Sequence, residues 1–425
     1  MQSPDLRLTV LSDIHVTHFD EPLYEGYKSL ERALRFHTEK LPASDAFLFT
    51  GDTVYQVEAS TKPVCEKLYT EIYDRAKSLF ARYIPTKPRV MIMGNHEYPQ
   101  SNADETMTRD AQEMFKNAYG QDMNVHTTVK GFHVIGVSMR SWKATVWADN
   151  EAFIRTEVEK AVAEDPHKPV FLMLHNPIPD TTAFSGQYCK GHYSDEFCAW
   201  VRTKPQLIVM AGHCHNVNED DSCIYQDGFT AINIPIVAVG YMRFDGNGAP
   251  GFRNDNGSVF GKSQSVMIEV KDNVVRVTSY DLVNEKVVNV WEIDVGGIVD
   301  GTTKPLYTKE ARDAWGAPEF ASDAAVTVAE RDEKTVLRIT QSFAPYPHCI
   351  KYYVITFRSK KTGDEHTVTY TTDYFRSEMA REIDKPLPTL DSGVYEVTVR
   401  AANSFVNMSE SCLTAEVTVK NAEGV

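Results

Sequence analysis

Five short apolar runs each end in a side chain that can bind a metal ion. The runs and the polar residues that follow them are Leu8–Leu11 with Asp13 and His15, Phe47–Phe49 with Asp52, Val90–Met93 with Asn95 and His96, Val170–Leu174 with His175, and Leu207–Met210 with His213 and His215. Apolar runs of this length, bounded by turn residues, predict strands that are buried on both faces. Because ligands gather beyond the carboxyl ends of strands in α/β sheets, we expect these ends to converge on one crevice.

Each of these motifs alone is weak evidence for a metal site. A single histidine is more often an ordinary hydrogen-bonded side chain, and a Gly-Asp pair after a strand is usually a turn. The stretch Gly94–Glu97 shows what each residue type adds. Gly94 permits a sharp chain reversal, Asn95 offers a neutral oxygen ligand, and His96 is an acid or base whose pKa lies near neutrality. The recurrence at five strand ends therefore predicts the site.

In their order along the chain, the motifs resemble those of the calcineurin-like metallophosphoesterases. That family has Asp-x-His, Gly-Asp, Gly-Asn-His-Asp/Glu, a lone histidine and Gly-His-x-His, and all five occur here in order between roughly residues 7 and 215. The resemblance implies an α/β fold, a four-layer αββα sandwich. It also implies an enzyme, a metal-dependent phosphoesterase that hydrolyses phosphoric ester bonds.

The resemblance further implies a dinuclear metal centre with named ligands. The ligands of one ion would be Asp13, His15, Asp52 and His215. Asp52 would bridge to a second ion, which Asn95, His175 and His213 complete. Mixed histidine and carboxylate ligands favour Mn, Fe, Zn or Co over Ca. We therefore expect two divalent or trivalent ions from that group as cofactors.

The expected reaction is attack of a metal-bound hydroxide on phosphorus. Two ions about 3.5–4 Å apart can hold the attacking and phosphoryl oxygens, and a metal-bound water becomes hydroxide near neutral pH. His96, next to Asn95 but outside the ligand set, is predicted to donate a proton to the leaving oxygen. Glu97 would orient the His96 ring or hold the turn. We expect small phosphoester substrates, with phosphodiesters slightly favoured over monoesters.

Three further residues are predicted to contact substrate from loops near the strand ends. His18 lies three residues after His15, Arg140 follows the strand-like run Val134–Met139, and His192 lies in a loop between His175 and the last motif. A monoester dianion would be helped by an additional cation such as Arg140. A diester, with one negative charge at phosphorus, needs little beyond the metal ions.

Two alternatives to this function remain open from the sequence. Purple acid phosphatases share Gly-Asp-x-x-Tyr, and residues 51–55 have that spacing. In that group the tyrosine is an iron ligand where other members use the histidine of Asp-x-His, so with His15 present we do not expect Tyr55 to be a ligand. A purple-acid-phosphatase-like phosphomonoesterase is the first alternative. The second is a metal-binding scaffold that docks a partner through its C-terminal domain.

The chain after the motifs is predicted to hold a second sheet, a linker and a separate domain. Residues 222–295 are expected to form the second sheet of the sandwich. We predict a metallophosphoesterase domain over 1–302, a linker over 303–318 and an all-β sandwich over 319–425. The period-two run after Leu390-x-x-Gly393-x-Tyr395 resembles a fibronectin type III domain, in which Tyr395 would make the tyrosine-corner hydrogen bond.

Composition narrows the set of partners. The net charge of −15 disfavours extended nucleic acid and anionic membranes. No apolar stretch approaches the roughly 20 residues of a membrane span, and the start has no signal-peptide pattern, so we expect a cytoplasmic protein.

The seven scattered cysteines suggest free thiols, although Cys189 with Cys198 or Cys214 with Cys223 could pair. A small phosphoester is the expected partner of the site, and a protein or glycan that of the C-terminal domain.

Overall fold

The computed structural model describes residues 3–18, 25–55, 62–99, 105–141, 148–238, 262–375 and 379–420. These residues belong to two compact units. Within the described ranges, the first unit spans residues 3–218, 223–238 and 262–308, and the second contains residues 219–222 and those from 309 onward. The domain boundaries at 302 and 318 stay a prediction.

The first unit contains strands and helices that alternate along most of its length. Among the described residues its strands are β1 (Leu6–Leu11), β2 (Ala46–Phe49), β3 (Arg89–Met91), β4 (Asn124–Val129), β5 (Phe132–Val137), β6 (Val170–Leu174), β7 (Leu207–Ala211), β8 (Ile224–Gln226), β9 (Thr230–Asn233), β10 (Gln264–Lys271), β11 (Val274–Asp281) and β12 (Lys286–Asp294). Its helices are α1 (Gly26–Arg35) with a π-helical turn (Phe36–Lys40), α2 (Lys62–Tyr83), α3 (Glu105–Tyr119), α4 (Ala148–Glu164), α5 (Ser185–Tyr188), α6 (Asp195–Val201) and α7 (Val295–Val299).

The strands form two six-stranded mixed sheets. One sheet has the order β12-β11-β10-β1-β2-β3, and the other has the order β4-β5-β6-β7-β9-β8. Strands β1 to β3 run parallel in the first sheet, as do β5, β6, β7 and β9 in the second. The predicted α/β class is therefore confirmed.

The prediction that residues 222–295 form the second sheet of the sandwich is wrong, because their strands divide between the two sheets. Strands β8 and β9 join the sheet of β6 and β7, whereas β10 pairs antiparallel with β1 and brings β11 and β12 with it. The reason is that β1 pairs with β2 along one edge only, which leaves its other edge to β10. A strand's own periodicity does not encode which edge it will join.

Three hydrophobic cores explain why the motif strands are continuous apolar runs. Successive side chains of a strand point to opposite faces of the sheet. Leu48 of β2 enters a core that also holds Phe171 of β6, so this core draws on both sheets. Phe49, one residue later, lies in a second core with side chains of α1, α2 and α3. A third core joins Leu172 of β6 to side chains of α4 and α6.

In the part of the chain described, the second unit is all-β apart from one short α-helix, α8 (Lys309–Asp313), and the start of a 3₁₀ turn (Asp221–Cys223). Its strands are β13 (Val326–Arg331), β14 (Lys334–Thr340), β15 (Ile350–Ser359), β16 (Glu365–Thr371), β17 (Glu382–Pro386), β18 (Gly393–Asn403) and β19 (Leu413–Val419). They form an antiparallel sheet β13-β14-β17 and an antiparallel sheet β16-β15-β18-β19. The Tyr395 hydroxyl donates to the carbonyl of Asp391 at 3.0 Å, the type of bond expected of it.

A buried ion pair lies within the second unit. Lys351 Nζ is 2.5 Å from a carboxylate oxygen of Asp220, and the two side chains are 5% and 2% exposed. Asp220 belongs to the short segment 219–222, which is part of this unit although it precedes β8 in the chain. Both charges are therefore buried, and each lies against the opposite charge of the other.

Two smaller expectations can also be compared with the structure. All seven cysteines are free thiols, so neither of the two pairings left open by the sequence is formed. No helix in the described part of the chain is both long enough and apolar enough to cross a bilayer.

Candidate metal centre

The motif residues meet where the carboxyl ends of five strands converge. Asp13 and His15 follow β1, Asp52 follows β2, and Asn95 follows β3, all in one sheet. His175 follows β6, and His213 and His215 follow β7, in the other sheet. The crevice therefore lies between the ends of two sheets, where side chains from both can reach the same point.

One group of four side chains has its ligand atoms together. Asp13, His15, Asp52 and His215 each offer one ligand atom, and these atoms lie within 4.8 Å of one another. His215 Nε2 is 3.1 Å from His15 Nε2 and 3.0 Å from Asp13 Oδ1. All four residues are buried. The structure thus brings together the four residues predicted for the first ion.

A second group shares Asp52 with the first. Asp52, His175 and His213 again offer ligand atoms within 4.8 Å of one another. His175 Nε2 is 3.1 Å from both Asp52 Oδ2 and Asn95 Oδ1. His213 Nδ1 is 3.0 Å from the same Asn95 oxygen. Asp52 therefore occupies the position between the two groups that a bridging ligand needs.

The donor chemistry of both groups fits cations better than hydrogen bonds. An imidazole nitrogen carries at most one hydrogen, yet His175 Nε2 faces oxygens of both Asp52 and Asn95. His215 Nε2 likewise faces a second imidazole nitrogen and a carboxylate oxygen. One proton cannot serve two acceptors fully, whereas a cation attracts every lone pair around it. Buried nitrogen and oxygen lone pairs converging in this way suit borderline divalent metals.

Most of these candidate ligands have strained backbone conformations. Non-glycine residues seldom have positive φ, and holding one there costs on the order of 1 kcal/mol or more. The residues concerned are Asp13 (φ 51°), His15 (φ 54°), Asp52 (φ 50°), His213 (φ 66°) and His215 (φ 52°). These residues all lie in the turns that follow strands β1, β2 and β7, and their side chains point into the crevice.

Two glycines let the turns after β2 and β3 approach each other. Gly51 has a φ of 97°, and a Cβ placed on it would lie 2.8 Å from the Gly94 nitrogen. A Cβ on Gly94 would lie 2.2 Å from a carboxylate oxygen of Asp52. No side chain fits at either position, so the two Gly motifs are required by the spacing of Asp52 and Asn95.

Glu97 fastens the same two turns. Its carboxylate accepts N–H bonds from Asp52 (3.0 Å), Thr53 (2.7 Å), Val54 (3.3 Å) and Gly94 (2.6 Å), and it is fully buried. Burial and the nearby Asp52 charge raise the pKa of Glu97, while these donors act in the opposite direction. Because all four contacts need an acceptor, the ionised carboxylate is the form that fits. Of the two roles the sequence left open for Glu97, this geometry matches holding the turn.

The metal-free centre is strongly polarised. Burial alone would lower the pKa of His175, but the facing Asp52 carboxylate overrides it and raises that pKa to about 10. Burial would raise the pKa of Asp52, yet His175 and His96 hold it well below its usual range. Burial and neighbouring histidines lower the pKa of His15 and of His213. In the protein without metal, His175 is therefore expected to be protonated at neutral pH.

His96 lies at the edge of the centre rather than inside it. Its side chain is 18% exposed, and its Nε2 is 3.7 Å from Asp52 Oδ2. Its ring stacks against Tyr55 with centroids 5.4 Å apart. Burial lowers the pKa of His96, with the Asp52 charge opposing. Tyr55, whose ring is also 5.7 Å from that of His15, is a neighbour of the site that the sequence raised only as an iron ligand.

The residues predicted to contact substrate lie in different surroundings. Asn176 Nδ2 donates to His192 Nδ1 at 2.7 Å, and both residues line a small cavity with His175. Arg140 Nε donates to Asn150 Oδ1 in the first turn of α4, at 3.0 Å. His18 is partly exposed beyond the first motif. Asn176 was not given a role from the sequence, although its position directly after His175 is the signal that could have found it.

The comparisons with known proteins agree with the motif pattern. The sequence profile described as calcineurin-like phosphoesterase matches residues 6–217. No match was found among curated proteins.

Solved structures of low sequence identity also match. A purple acid phosphatase from yellow lupin (Lupinus luteus) seeds is 13% identical, with 69% of this chain and 55% of that chain covered and a TM-score of 0.49. A predicted phosphoesterase from Streptococcus pneumoniae is 10% identical, with 68% and 97% covered and a TM-score of 0.31. Zinc-complexed Vps29 from Entamoeba histolytica is 12% identical, with 68% and 99% covered and a TM-score of 0.31. The match thus spans 55% of the lupin enzyme's length.

Proposed function

Because residues 6–217 are a domain of the calcineurin-like phosphoesterase family, whose members are metal-dependent phosphoester hydrolases, we propose that this protein hydrolyses small phosphoesters at a dinuclear metal centre. The observation that carries the proposal is the pair of ligand groups that share Asp52. Two separate groups with one carboxylate in common are what two neighbouring ions require.

The proposed ligands follow the two groups. One ion is held by Asp13, His15, Asp52 and His215, and the other by Asp52, Asn95, His175 and His213. When bound, the ions supply Lewis acidity at the phosphoryl group and lower the pKa of a water nucleophile. Glu97 keeps the turns of Asp52 and Asn95 at a fixed separation through its four N–H bonds. The identity of the metals, from Mn, Fe, Zn or Co, is part of the proposal.

His96 is the proposed proton donor. Its side chain reaches the edge of the crevice without joining either ligand group. The Asp52 carboxylate, 3.7 Å from His96 Nε2, favours a proton on that nitrogen, whereas burial opposes it. A donor of this kind transfers its proton to the leaving oxygen as the ester bond breaks.

The substrate side of the site is proposed from three residues. His192 is tied to Asn176, next to the ligand His175, and is the best supported of the three. Arg140 is proposed for its charge, and its Nε donates to Asn150 Oδ1 at the start of α4. His18 has position alone in its favour. We propose phosphodiesters as slightly preferred substrates. A phosphomonoester dianion would be helped by a positively charged side chain beside the metal ions, and the described contacts place none there.

The experiment that tests the function combines metal analysis with two ester substrates. Protein supplied with metal should hold about two ions per chain and hydrolyse bis(p-nitrophenyl) phosphate with a somewhat higher kcat/KM than p-nitrophenyl phosphate. A stoichiometry below one would contradict the dinuclear proposal. A strong monoester preference that Arg140→Ala removes and Arg140→Lys keeps would contradict the diester preference and assign Arg140 a phosphate contact.

The position of Tyr55 keeps the phosphomonoesterase alternative open to test. Its ring lies beside both His15 and His96. If Tyr55 ligated iron, the loaded protein would be visibly coloured and would lose that colour in Tyr55→Phe. Since His15 already lies among the four residues of the first group, we expect the loaded protein to show no such colour.

Two architectural proposals accompany the function. We propose that the three cores of the first unit correspond to the four-layer αββα order, and that the two sheets of the second unit form a fibronectin type III-like sandwich. The Tyr395–Asp391 bond supports the second of these. A protein or glycan partner for that domain stays a prediction.

A further inference from the structure

Three aromatic rings pack together at the edge of the candidate metal centre. The ring of His96 stacks on that of Tyr55, with centroids 5.4 Å apart and planes inclined by 23°. The ring of His15 stands at a steep angle to both, with its centroid 4.7 Å from that of His96 and 5.7 Å from that of Tyr55. Stacked and edge-to-face rings attract one another at centroid distances of about 4.5–7 Å. Each of the three rings therefore contacts the other two.

Backbone hydrogen bonds hold Tyr55 beside the crevice. Its N–H donates to the carbonyl of Val16 at 2.8 Å, and the N–H of Val16 donates to the carbonyl of Thr53 at 2.9 Å. Val16 and Val54 form a parallel β-bridge, and the Glu97 carboxylate accepts the N–H groups of Thr53 and Val54. Because the segment that leads to Tyr55 is bonded to two other parts of the chain, the ring of Tyr55 starts from a fixed backbone.

The backbone of His96 is equally well held, whereas its ring is not tied to the nearest carboxylate. The N–H of His96 donates to Asp52 Oδ1 at 2.8 Å, and its carbonyl accepts from the Tyr69 hydroxyl at 3.2 Å. These bonds leave the side-chain torsions of His96 able to rotate. His96 Nε2 lies 3.7 Å from Asp52 Oδ2, which is longer than a hydrogen bond. Packing against Tyr55 and His15 therefore orients the imidazole in a way that Asp52 does not.

The orientation of the His96 ring matters because it decides whether a proton can be transferred. A general acid must lie within hydrogen-bond distance of the oxygen that receives the proton, about 2.6–3.2 Å. A side chain that is 18% exposed at the edge of a crevice can adopt more than one staggered rotamer, and only rotamers that point towards the substrate are productive. A contact that selects one rotamer raises the productive fraction and therefore the turnover.

We propose that Tyr55 is a positioning residue that holds the His96 imidazole at the edge of the crevice. This role rests on the proposed function, in which His96 is the proton donor. Tyr55 acts here through the face of its ring, whereas a tyrosine that ligates iron acts through its hydroxyl. His15, as a proposed ligand of the first ion, keeps its own ring still once that ion is bound, and so supplies a second fixed surface for His96.

Turnover of the full-length, metal-loaded protein tests the role of the ring. Tyr55→Leu should lower kcat by about two- to tenfold, the range that one aromatic pair contributes. KM and metal content should stay the same, and the loss should be larger for esters of poor leaving groups. Tyr55→Phe keeps the ring and should recover most of the turnover. An equal loss in both variants, or metal lost from Tyr55→Leu, would overturn the proposal, because it would assign the role to the hydroxyl or to ligation.

Tyr83→Leu is the matched control for the loss of a tyrosine ring. Tyr83 ends α2, is partly buried, and donates its hydroxyl to Glu31 at 2.9 Å. The control should change neither kcat nor its dependence on the leaving group. A loss as large as that in Tyr55→Leu would show that Tyr55 acts through general stability and would overturn the proposal.

A double variant tests whether Tyr55 acts through His96. In a His96→Ala protein no imidazole remains to be positioned, so adding Tyr55→Leu should cause no further loss of turnover. Losses that multiply in the double variant would overturn the proposal. If His96→Ala showed no dependence on the leaving group and Tyr55→Leu still added nothing to it, proton donation by His96 would be contradicted while its positioning by Tyr55 would be supported.

Chemical modification supplies a readout that needs no substrate. Diethyl pyrocarbonate reacts with the imidazole nitrogens that it can reach, and mass spectrometry of peptides reports the rate at each histidine. In metal-loaded protein, Tyr55→Leu should speed modification of His96, and Tyr55→Phe should leave it slow. His167, whose side chain is 46% exposed, is the internal reference and should react at one rate in all three proteins. Equal rates at His96 in the wild type and Tyr55→Leu would overturn the proposal, whatever the substrate of the enzyme.

Discussion

The carboxylate of Asp52 lies 3.1 Å from Nε2 of His175, with both side chains almost completely excluded from water. In the metal-free protein this is an ion pair, because the Asp52 charge raises the pKa of His175 to about 10 in spite of its burial. A metal ion bound at the proposed centre would need the same nitrogen without its proton. Metal binding would therefore release that proton.

We expect metal affinity to fall as the pH is lowered. At neutral pH the metal-free His175 is protonated, so each ion that enters the second group displaces one proton. The apparent affinity should drop about tenfold per pH unit from this residue alone. Competition with a chromophoric chelator at pH 6, 7 and 8 measures it. An affinity that does not change across this range would show that His175 is neutral before metal binds.

The same pair should make the stability of the metal-free protein depend on pH. The folded pKa of His175 is raised above the unfolded value of 6.5, so its contribution is complete below pH 6.5 and is lost as the pH rises towards about 10. Asp52 has a lowered pKa, so its contribution is present above pH 3.8 and is lost on acidification. Urea unfolding of metal-free protein should show stability falling between pH 6.5 and 10. His175→Gln should flatten that part of the curve.

His96→Ala should spare metal content and lower turnover by roughly 10²–10⁴, the range for loss of a general acid. The loss should be smaller for nitrophenyl esters than for esters of poor leaving groups, which need the proton most. Asp52→Asn should instead lower the metal content, since Asp52 belongs to both ligand groups. Equal losses of turnover for both ester classes in His96→Ala would point to phosphate positioning rather than proton donation.

Glu97→Gln should destabilise the centre although the side chain keeps its shape. The new NH₂ group would face backbone N–H donors in place of an acceptor oxygen, at a cost on the order of 3 kcal/mol. Unfolding free energy and metal content should both fall. Glu71→Gln on the exposed side of α2 is the matched control and should change neither. A Glu97→Gln protein with normal metal affinity would show that the four N–H bonds to the Glu97 carboxylate are not needed to form the metal centre.

Lys351→Met should be among the more damaging changes in the second unit. It leaves the Asp220 carboxylate, 2% exposed, with its Ser222 hydrogen bonds but without a facing cation, and breaking a buried ion pair in this way costs about 3–5 kcal/mol. Arg338→Met is the comparison, because the Arg338–Asp384 pair is partly exposed and its loss should destabilise the fold much less. Thermal unfolding of both variants measures the difference. Similar shifts in the two would mean that Asp220 finds water or another partner.

The sequence predicts the strand ends of the centre well and their arrangement poorly. Apolar runs bounded by Gly, Asp and His indicate where a strand stops, so Asp13, Asp52 and His175 could be placed beyond strand ends. The runs do not reveal that β1 to β3 belong to one sheet and β6 and β7 to another. That division depends on pairing partners and on which face each side chain enters. It is decided by long-range packing, as the antiparallel addition of β10 to β1 shows.

Contacts made by ordinary residues were the hardest to predict. Glu97 has a motif position, yet only the structure shows its carboxylate collecting four N–H groups from two turns. Arg140 looks like a phosphate ligand by its charge, whereas the structure shows its Nε bonded to Asn150. Asn176 carries no charge or periodic signal at all. Contacts of this kind form where loops that are distant in sequence come together, and local sequence patterns do not predict which loops will do so.

The positive φ values at the proposed ligand positions lower the stability of the fold, whereas the side chains at those positions are needed to bind metal. Glycine adopts positive φ without steric cost, so replacing His213 with glycine would relieve local strain while removing a proposed ligand. A laboratory population selected only for survival of heating, in metal-free medium, should drift towards glycine or asparagine at this position. A population selected for turnover should keep the histidine. The turn after β7 would thus be where the two lineages separate first.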